Sequence, residues 1–226
     1  MHASSYRKME LFVESYLDGA RDLPLEIVDF GSQQVNPLSL TYRTLFDRTP
    51  WRYRGLDIAE GHNVDLHVAN AYDWDEVPSD SVDVVVSGQA LEHVEYFWAS
   101  VFEIGRILKP GGLTMLIAPS GGYEHRFPLD CWRYYTDGMR ALAGYLRFEL
   151  VDAFTDWGIE AWEDSVLVLR KPIWTVDEAH EFAVRHAMQR ALVHPGAAIP
   201  EVDRPASLPE PSALPAPTPG RLTARL

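Results

Sequence analysis

The sequence predicts an α/β fold: a single domain built on a doubly wound, mostly parallel sheet of seven strands. Three observations lead there. Short apolar runs alternate with segments of helical periodicity through most of residues 23–172. One run, Val82 to Val86 (VDVVV), is rich in β-branched residues and suits a central parallel strand buried on both faces. At 226 residues the chain can enclose one α/β core but not two.

The elements follow in order. Tyr6, Met9, Phe12, Val13, Tyr16 and Leu17 recur at helical spacing over residues 4–18, and Gly19 stops that helix within an N-terminal segment of residues 1–22. Leu25 to Phe30 reads as the first strand, ending at Gly31. Asn36-Pro37 resembles an N-cap with proline in the first turn, predicting a helix to about Phe46. Tyr53 to Ile58 and Val64 to Val68 are the next strands.

After the fourth strand, Phe97, Val101, Ile104 and Leu108 form the core stripe of a helix from about Glu95 to Leu108, which Lys109-Pro110-Gly111-Gly112 is expected to terminate. Leu113 to Ala118 is the fifth strand. Arg147 to Ala153 and Ser165 to Leu169 suit an antiparallel pair at the sheet edge. A C-terminal helix is expected within residues 173–194, over Asp177 to Val193. Eight of the sixteen prolines then fall between Pro195 and Pro219, so residues 195–226 are expected to be disordered for want of apolar content.

Composition narrows the function. A formal net charge of −13 opposes binding to phosphate backbones, so no nucleic acid partner is expected. Cys131 is the only cysteine, which excludes an intramolecular disulfide or a multi-cysteine metal site and fits a reducing cytoplasm. Residues 1–14 have no apolar run of the signal-peptide kind, and no stretch approaches membrane-spanning length, so no membrane partner is expected.

Ligands of open α/β sheets bind beyond the carboxyl ends of the strands, near the reversal of strand order. Asp57, ending the second strand, suits a carboxylate accepting both hydroxyls of a ribose. A pyrophosphate there would need bare backbone after the first strand, the reason for GxGxxG in dinucleotide sites. Only Gly31 is present; Gln33, Gln34 and Val35 crowd that space. S-adenosylmethionine (SAM) carries no phosphate. It needs one close backbone approach, supplied by Gly31, and a carboxylate such as Asp29 near its ammonium, so SAM is favoured over NAD.

These residues, together with Ser81 to Pro119 (SVDVVVSGQALEHVEYFWASVFEIGRILKPGGLTMLIAP), resemble the type 11 branch of class I SAM-dependent methyltransferases. That stretch matches the branch's strand, EH turn, helix, R-x-L-K-P-G-G and next strand. VDFGS at 28–32, GLDIA at 55–59 and VANAYDW at 68–74 resemble its first three motifs in order. The resemblance covers roughly residues 25–170 and implies the Rossmann-like methyltransferase fold. It puts Gly31 and Ser32 at the methionine moiety, with Gln33 reshaping that pocket where the family has glycine. It puts Asp57, with Ile58 following, at the ribose, Asn70, Ala71 and Tyr72 at the adenine edge, and Ser87 and Gln89 beside the sulfonium. Asn70 replaces the family's aspartate.

Methyl transfer needs a nucleophile aligned within about 3–3.5 Å of the activated carbon, and for an oxygen or nitrogen nucleophile a base to take its proton. His93 in the EH turn and His125 in the loop after the fifth strand are the candidate catalytic bases, with Glu92 able to orient either; the alternatives are a helix cap and an ordinary loop histidine. His125 opens an aromatic and charged run. There Arg126, Asp130, Trp132, Arg133 and Tyr135 are candidate substrate-binding residues for a polar, hydroxylated acceptor. The alternative is that Asp130 pairs with Arg126 or Arg133 while the aromatics fill core. Cys131 reads as a small buried hydrophobe. No HxxxH pair or aspartate cluster of metal-dependent methyltransferases occurs, so no metal is expected, and Asp73, Asp75 and Glu76 read as a solvated turn. The implied activity is a metal-independent O-methyltransferase of small molecules; an N-methyltransferase, or a SAM-binding module without turnover, remain alternatives.

Overall fold

The computed structural model describes residues 2–158 and 163–225. Seven strands form one sheet in the order β3-β2-β1-β4-β5-β7-β6. They are β1 (Glu26–Phe30), β2 (Arg52–Asp57), β3 (Leu66–His67), β4 (Val82–Gly88), β5 (Leu108–Pro119), β6 (Glu149–Thr155) and β7 (Asp164–Arg170). The first five are parallel; β7 runs antiparallel between β5 and β6. Strand order reverses between β1 and β4, which fixes where a ligand crevice forms.

Both faces are covered because the central strands are apolar on both sides. Every residue of β4 is buried. On one face Val82 and Val85 pack with Val101, Phe102 and Ile104 of helix α3 (Phe97–Ile107), Met139 of α4 (Thr136–Leu146) and Phe182 of α5 (Val176–Val193). On the other, Val84 and Val86 meet Met9 and Phe12 of α1 (Ala3–Phe12) and Phe46 of the short α2 (Arg43–Phe46). Beyond α1 the chain coils on through residues 13–20, so Gly19 lies where a stop was expected.

Five local expectations need correction. No helix starts at Asn36: its side chain accepts from Leu38 N at 2.9 Å and its carbonyl from Ser39 N at 2.9 Å, closing a turn instead. Local side-chain hydrogen bonds of this kind compete with helix. Lys109-Pro110-Gly111-Gly112 is not a loop after α3 but an irregularity inside β5, where the register to β4 shifts. Gly111 there has φ +80°, and a Cβ on Gly112 would lie 2.9 Å from the Asp83 carbonyl, so both glycines are required. Helix α4 is an element beyond those expected from the sequence, and Met139, Leu142, Ala143 and Leu146 form its buried stripe at helical spacing. Asp73 and Asp75 are not merely solvated. They pair with Arg190 of α5 at 2.5 and 3.0 Å.

The fifth correction concerns residues 195–226. Their described part docks on the sheet rather than lying free. Ser212 N donates to the Pro110 carbonyl at 2.8 Å and Ser212 Oγ to Asp83 at 2.7 Å. Leu214 and Leu222 are buried in the second core, and Asp152 accepts from Leu222 N at 3.0 Å and Thr223 N at 2.9 Å. Prolines restrict the unfolded segment, so ordering it costs less entropy, and two leucines suffice to anchor it. Among the described residues no helix is long and apolar enough to cross a membrane.

Leu222 is fully buried, whereas Ile199 is 55% exposed. Leu222→Ala should therefore cost about 2–5 kcal/mol, roughly 5–15 °C in Tm, while Ile199→Ala stays within about 0.5 kcal/mol. A thermal melt in which both variants match the wild type would show that the segment does not dock.

Candidate active site

A cavity of about 480 Å³ opens at the carboxyl ends of β1, β2 and β4, where the strand order reverses. Another, of about 530 Å³, lies between α5 and residues 197–209 and reaches Ser79 and Asp80 at the opposite, amino end of β4. Only the first is where parallel α/β sheets bind ligands.

The floor of the first cavity is set by Gly31. It has φ +77°, and a Cβ there would stand 2.2 Å from that of Ala90. Its N–H donates to the Leu56 carbonyl at 2.9 Å, drawing the loop after β1 over the end of β2. This lets Asp57 accept from Gln33 N at 2.9 Å and Ala59 N at 3.0 Å, one bond on each carboxylate oxygen. Each oxygen keeps a lone pair for a further donor. The Gln33 and Gln34 carboxamides are tied to backbone, Gln33 to the Glu60 carbonyl at 3.2 Å and Gln34 to that of Ser39 at 2.7 Å.

Asp29, one residue before the end of β1, lines the same cavity and is almost wholly buried. Burial raises its carboxyl to about 7, although Tyr53 donates a 2.5 Å hydrogen bond to it. Asn63 orders this region: it donates to the Ser32 carbonyl at 2.8 Å and to Tyr53 Oη at 3.1 Å, and accepts from Arg43 at 2.9 Å. On the far side, Gln89, at φ +61°, donates to Asp164 at 2.9 Å. Asp164 also takes Ser4 Oγ at 2.8 Å and Lys8 Nζ at 3.1 Å, which docks the start of α1 beside the cavity. Tyr42, Asp164 and His2, which lies in the cavity wall, carried no motif that could have singled them out.

The opposite wall holds two imidazoles. His93 Nδ1 lies 2.6 Å from the Leu129 carbonyl, and its ring meets that of His125 edge-on at 4.9 Å. Burial lowers the His93 pKa, keeping the ring neutral. His125 lies with its Nδ1 3.4 Å from Asp130 Oδ2, and its backbone N donates to Asp130 at 2.7 Å.

Thus Asp29, Gly31, Ser32, Gln33, Asp57, Ile58, Ala71, Gln89, His93 and His125 are gathered around one cavity. Eight expected site residues are not among its lining. Ser87 is fully buried, its Oγ donating to the Phe30 carbonyl at 2.8 Å. Asn70 accepts from Tyr72 N at 2.7 Å and donates to Asp73 at 3.1 Å, while the Tyr72 ring packs on Tyr96 at 5.6 Å. Asp130 forms a two-pronged pair with Arg133 at 2.6 and 2.9 Å, which holds its carboxyl well below the usual range. Trp132 donates to the Val94 carbonyl at 3.0 Å, Arg126 turns outward to Glu124, and the exposed Tyr135 stacks on Trp157. The run 125–135 is therefore mainly a braced loop, close to the alternative reading of it. Cys131 is exposed rather than buried; partial desolvation and the Glu95 and Asp130 carboxylates push its thiol pKa up.

Residues 43–116 match the family model of a methyltransferase domain. Over 92 residues the chain is 35% identical to an uncharacterized methyltransferase of Mycobacterium avium (strain 104), covering 38% of this chain and 34% of that protein. Over 73 residues it is 38% identical to one of Mycobacterium tuberculosis (strain ATCC 25618 / H37Rv), covering 30% and 27%. The chain thus spans about a third of these relatives. Among solved structures it resembles the YcgJ protein of Bacillus subtilis, with TM-score 0.56, 12% identity, and 76% and 100% of the two chains covered. It also resembles the Burkholderia thailandensis 1,6-didemethyltoxoflavin-N1-methyltransferase bound to S-adenosylhomocysteine, with TM-score 0.51, 15% identity, and 75% and 88% covered. The [4+2]-cyclase SpnF shares the fold at TM-score 0.55 and 16% identity, with 75% and 81% covered.

A raised carboxyl pKa makes stability depend on pH. The native state binds the Asp29 proton more tightly than the unfolded chain, so this contribution is complete near pH 4 and is lost as pH rises through about 7. Tm measured from pH 5 to pH 8 should fall, and Asp29→Asn should flatten part of that slope. An unaltered slope would mean Asp29 is ionised throughout.

Proposed function

We propose that this chain, which carries a class I SAM-dependent methyltransferase domain, binds SAM in the cavity at the strand ends and moves its methyl group to a hydroxyl of a small polar acceptor. The observation that carries this reading is the polarity of that cavity, with Asp57 and Asp29 at one end and two imidazoles at the other. Asp57 takes the ribose hydroxyls with its remaining lone pairs. Gly31 gives the methionine moiety close backbone, and Asp29 faces the ammonium. Ile58 and Ala71 supply an apolar ledge for the adenine, while Asn70 and Tyr72 support the turn behind it.

The acceptor enters between Gln89 and the histidine wall. A neutral imidazole can take the hydroxyl proton as oxygen attacks the methyl carbon and the C–S bonding pair returns to sulfur. Such a base favours an oxygen nucleophile, because an amine is already nucleophilic when neutral. Asp130, Arg133 and Trp132 serve by fixing the loop that carries His125, and not as acceptor ligands. The net charge of −13 supports a small-molecule partner over nucleic acid, and the single unpaired cysteine supports a cytoplasmic setting. The likeness in fold to a cyclase favours one second reading, in which cofactor binding is kept and methyl transfer is not.

Calorimetric titration with SAM, S-adenosylhomocysteine and NAD tests the assignment. The first two should bind with micromolar Kd, and Asp57→Ala should weaken both about 10–100-fold, the worth of hydrogen bonds to a charged acceptor. NAD binding without SAM binding would reverse the assignment. Ionised Asp29 attracts the ligand ammonium, so S-adenosylhomocysteine affinity should rise between pH 6 and pH 7.5 and become flat in Asp29→Asn.

A further inference from the structure

We propose that Glu92, His93 and His125 form a binding site for one divalent first-row transition-metal ion of the zinc type, on the acceptor side of the cavity. The three residues each offer a ligand atom, and these atoms lie within 4.8 Å of one another. Ligands of a single ion at 2.0–2.2 Å stand no more than about 4.4 Å apart, so a small side-chain rotation completes the set. Two histidines and one carboxylate make a donor set typical of zinc and other first-row ions that keep open coordination positions.

A second observation, independent of proximity, calls for a cation. The Glu92 side chain is completely buried, and neither of its carboxylate oxygens has a hydrogen-bond partner. Burying a carboxylate without a partner is strongly unfavourable. Its nearest basic atom is His93 Nε2, at 3.6 Å from Oε1. A divalent ion between Glu92 and the imidazoles would supply the missing charge.

The surroundings of both rings match what metal-binding histidines require. Such a ring usually presents its other nitrogen to a carbonyl or carboxylate, which fixes the tautomer and the ring angle. His93 does so through Nδ1 to the Leu129 carbonyl at 2.6 Å, leaving Nε2 on the Glu92 side. His125 Nδ1 faces the Asp130 carboxylate at 3.4 Å, an ion-pair contact rather than a hydrogen bond, and Asp130 is itself held by Arg133 at 2.6 and 2.9 Å. This gives a purpose to the pair that sequence spacing marked as acceptor-binding. It departs from the expectation of a metal-independent protein, which rested on the absence of HxxxH and aspartate clusters; here the ligands sit on two separate loops.

Resting on the methyl-transfer reading, the ion would bind the acceptor hydroxyl at an open position and lower its pKa. The O–H proton then leaves to solvent water. The oxygen forms its bond to the methyl carbon as the C–S bond breaks, and the electron pair returns to sulfur as a neutral thioether. With an ion bound, neither imidazole acts as a free base.

The test uses the full chain, stripped with chelator and titrated calorimetrically with Zn2+ and Co2+, with the Co2+ visible spectrum recorded. The expected result is one equivalent at micromolar Kd or tighter, with a Co2+ spectrum of low coordination number. His93→Ala, His125→Ala and Glu92→Gln should each weaken binding more than about 100-fold, and Asp130→Asn about 10-fold, as for a residue that orients a ligand. His62→Ala, at an exposed position, should change nothing. Absence of saturable binding, or binding that survives His93→Ala and His125→Ala, overturns the proposal. S-adenosylhomocysteine titrated into the same samples confirms that each variant is folded. If it binds while Zn2+ does not, the metal site falls and the cofactor reading stands; the reverse outcome removes the cofactor reading alone.

Discussion

At Gly31 the loop leaving β1 passes the loop leaving β4 so closely that one added methyl group would overlap Ala90, at 2.2 Å. No side chain fits there, and the backbone takes φ +77°, a conformation that favours glycine. Much else depends on this crossing. It draws the loop after β1 over β2, which turns the Gln33 N–H onto Asp57. It also leaves Ser32 in reach of Asn63, whose contacts with Tyr53 and Arg43 brace Asp29 from behind. The cavity is thus a consequence of two parallel strands diverging at the switch in strand order, with their loops in contact beneath it.

Three buried carboxylates, Asp29, Asp164 and Glu92, surround that crossing, and each is compensated differently. Asp164 is met by Lys8, Ser4 and Gln89, which docks α1. Asp29 has one phenolic donor and a carboxyl raised by burial, leaving it poised to ionise when a cation arrives. Glu92 has neither donor nor ion pair of normal length. Burying charge unaided is unfavourable, so a gradient from compensated to uncompensated carboxylates points toward where ligands must bring positive charge.

Sequence reading succeeded where one local pattern and the tertiary role agreed. VDVVV had to be central because its four valines need burial on both faces, and the stripe through Val101 and Ile104 had one face to bury. The β6–β7 antiparallel edge was legible for the same reason. It failed where local chemistry had two outcomes. Asn36-Pro37 suits a helix start or a turn, and Ser39 decides for the turn. In α4, Gly138 and Gly144 weaken a helical pattern that tertiary packing of Met139 and Leu146 rescues. The proline-rich end looked incapable of folding alone, which says nothing of whether two leucines can dock it on an existing sheet.

For the site, strand-end position was legible and side-chain direction was not. Asp57, Asp29 and Gly31 follow from where a strand stops, because ligands of parallel sheets bind beyond the carboxyl ends of the strands. Ser87 also ends a strand, yet pleating sends its hydroxyl to the Phe30 carbonyl instead. In the run from His125 to Tyr135 the composition resembles a binding surface, with arginines, an aspartate and stacked rings. The same composition serves to pin a loop that has no regular secondary structure. Trp132 packs edge-on against Phe97 at 5.4 Å and Tyr134 donates to the Leu91 carbonyl at 3.0 Å, while Asp130 ties Arg133 to the backbone of His125. The loop's polar and aromatic residues therefore act on ligands through the one imidazole they position.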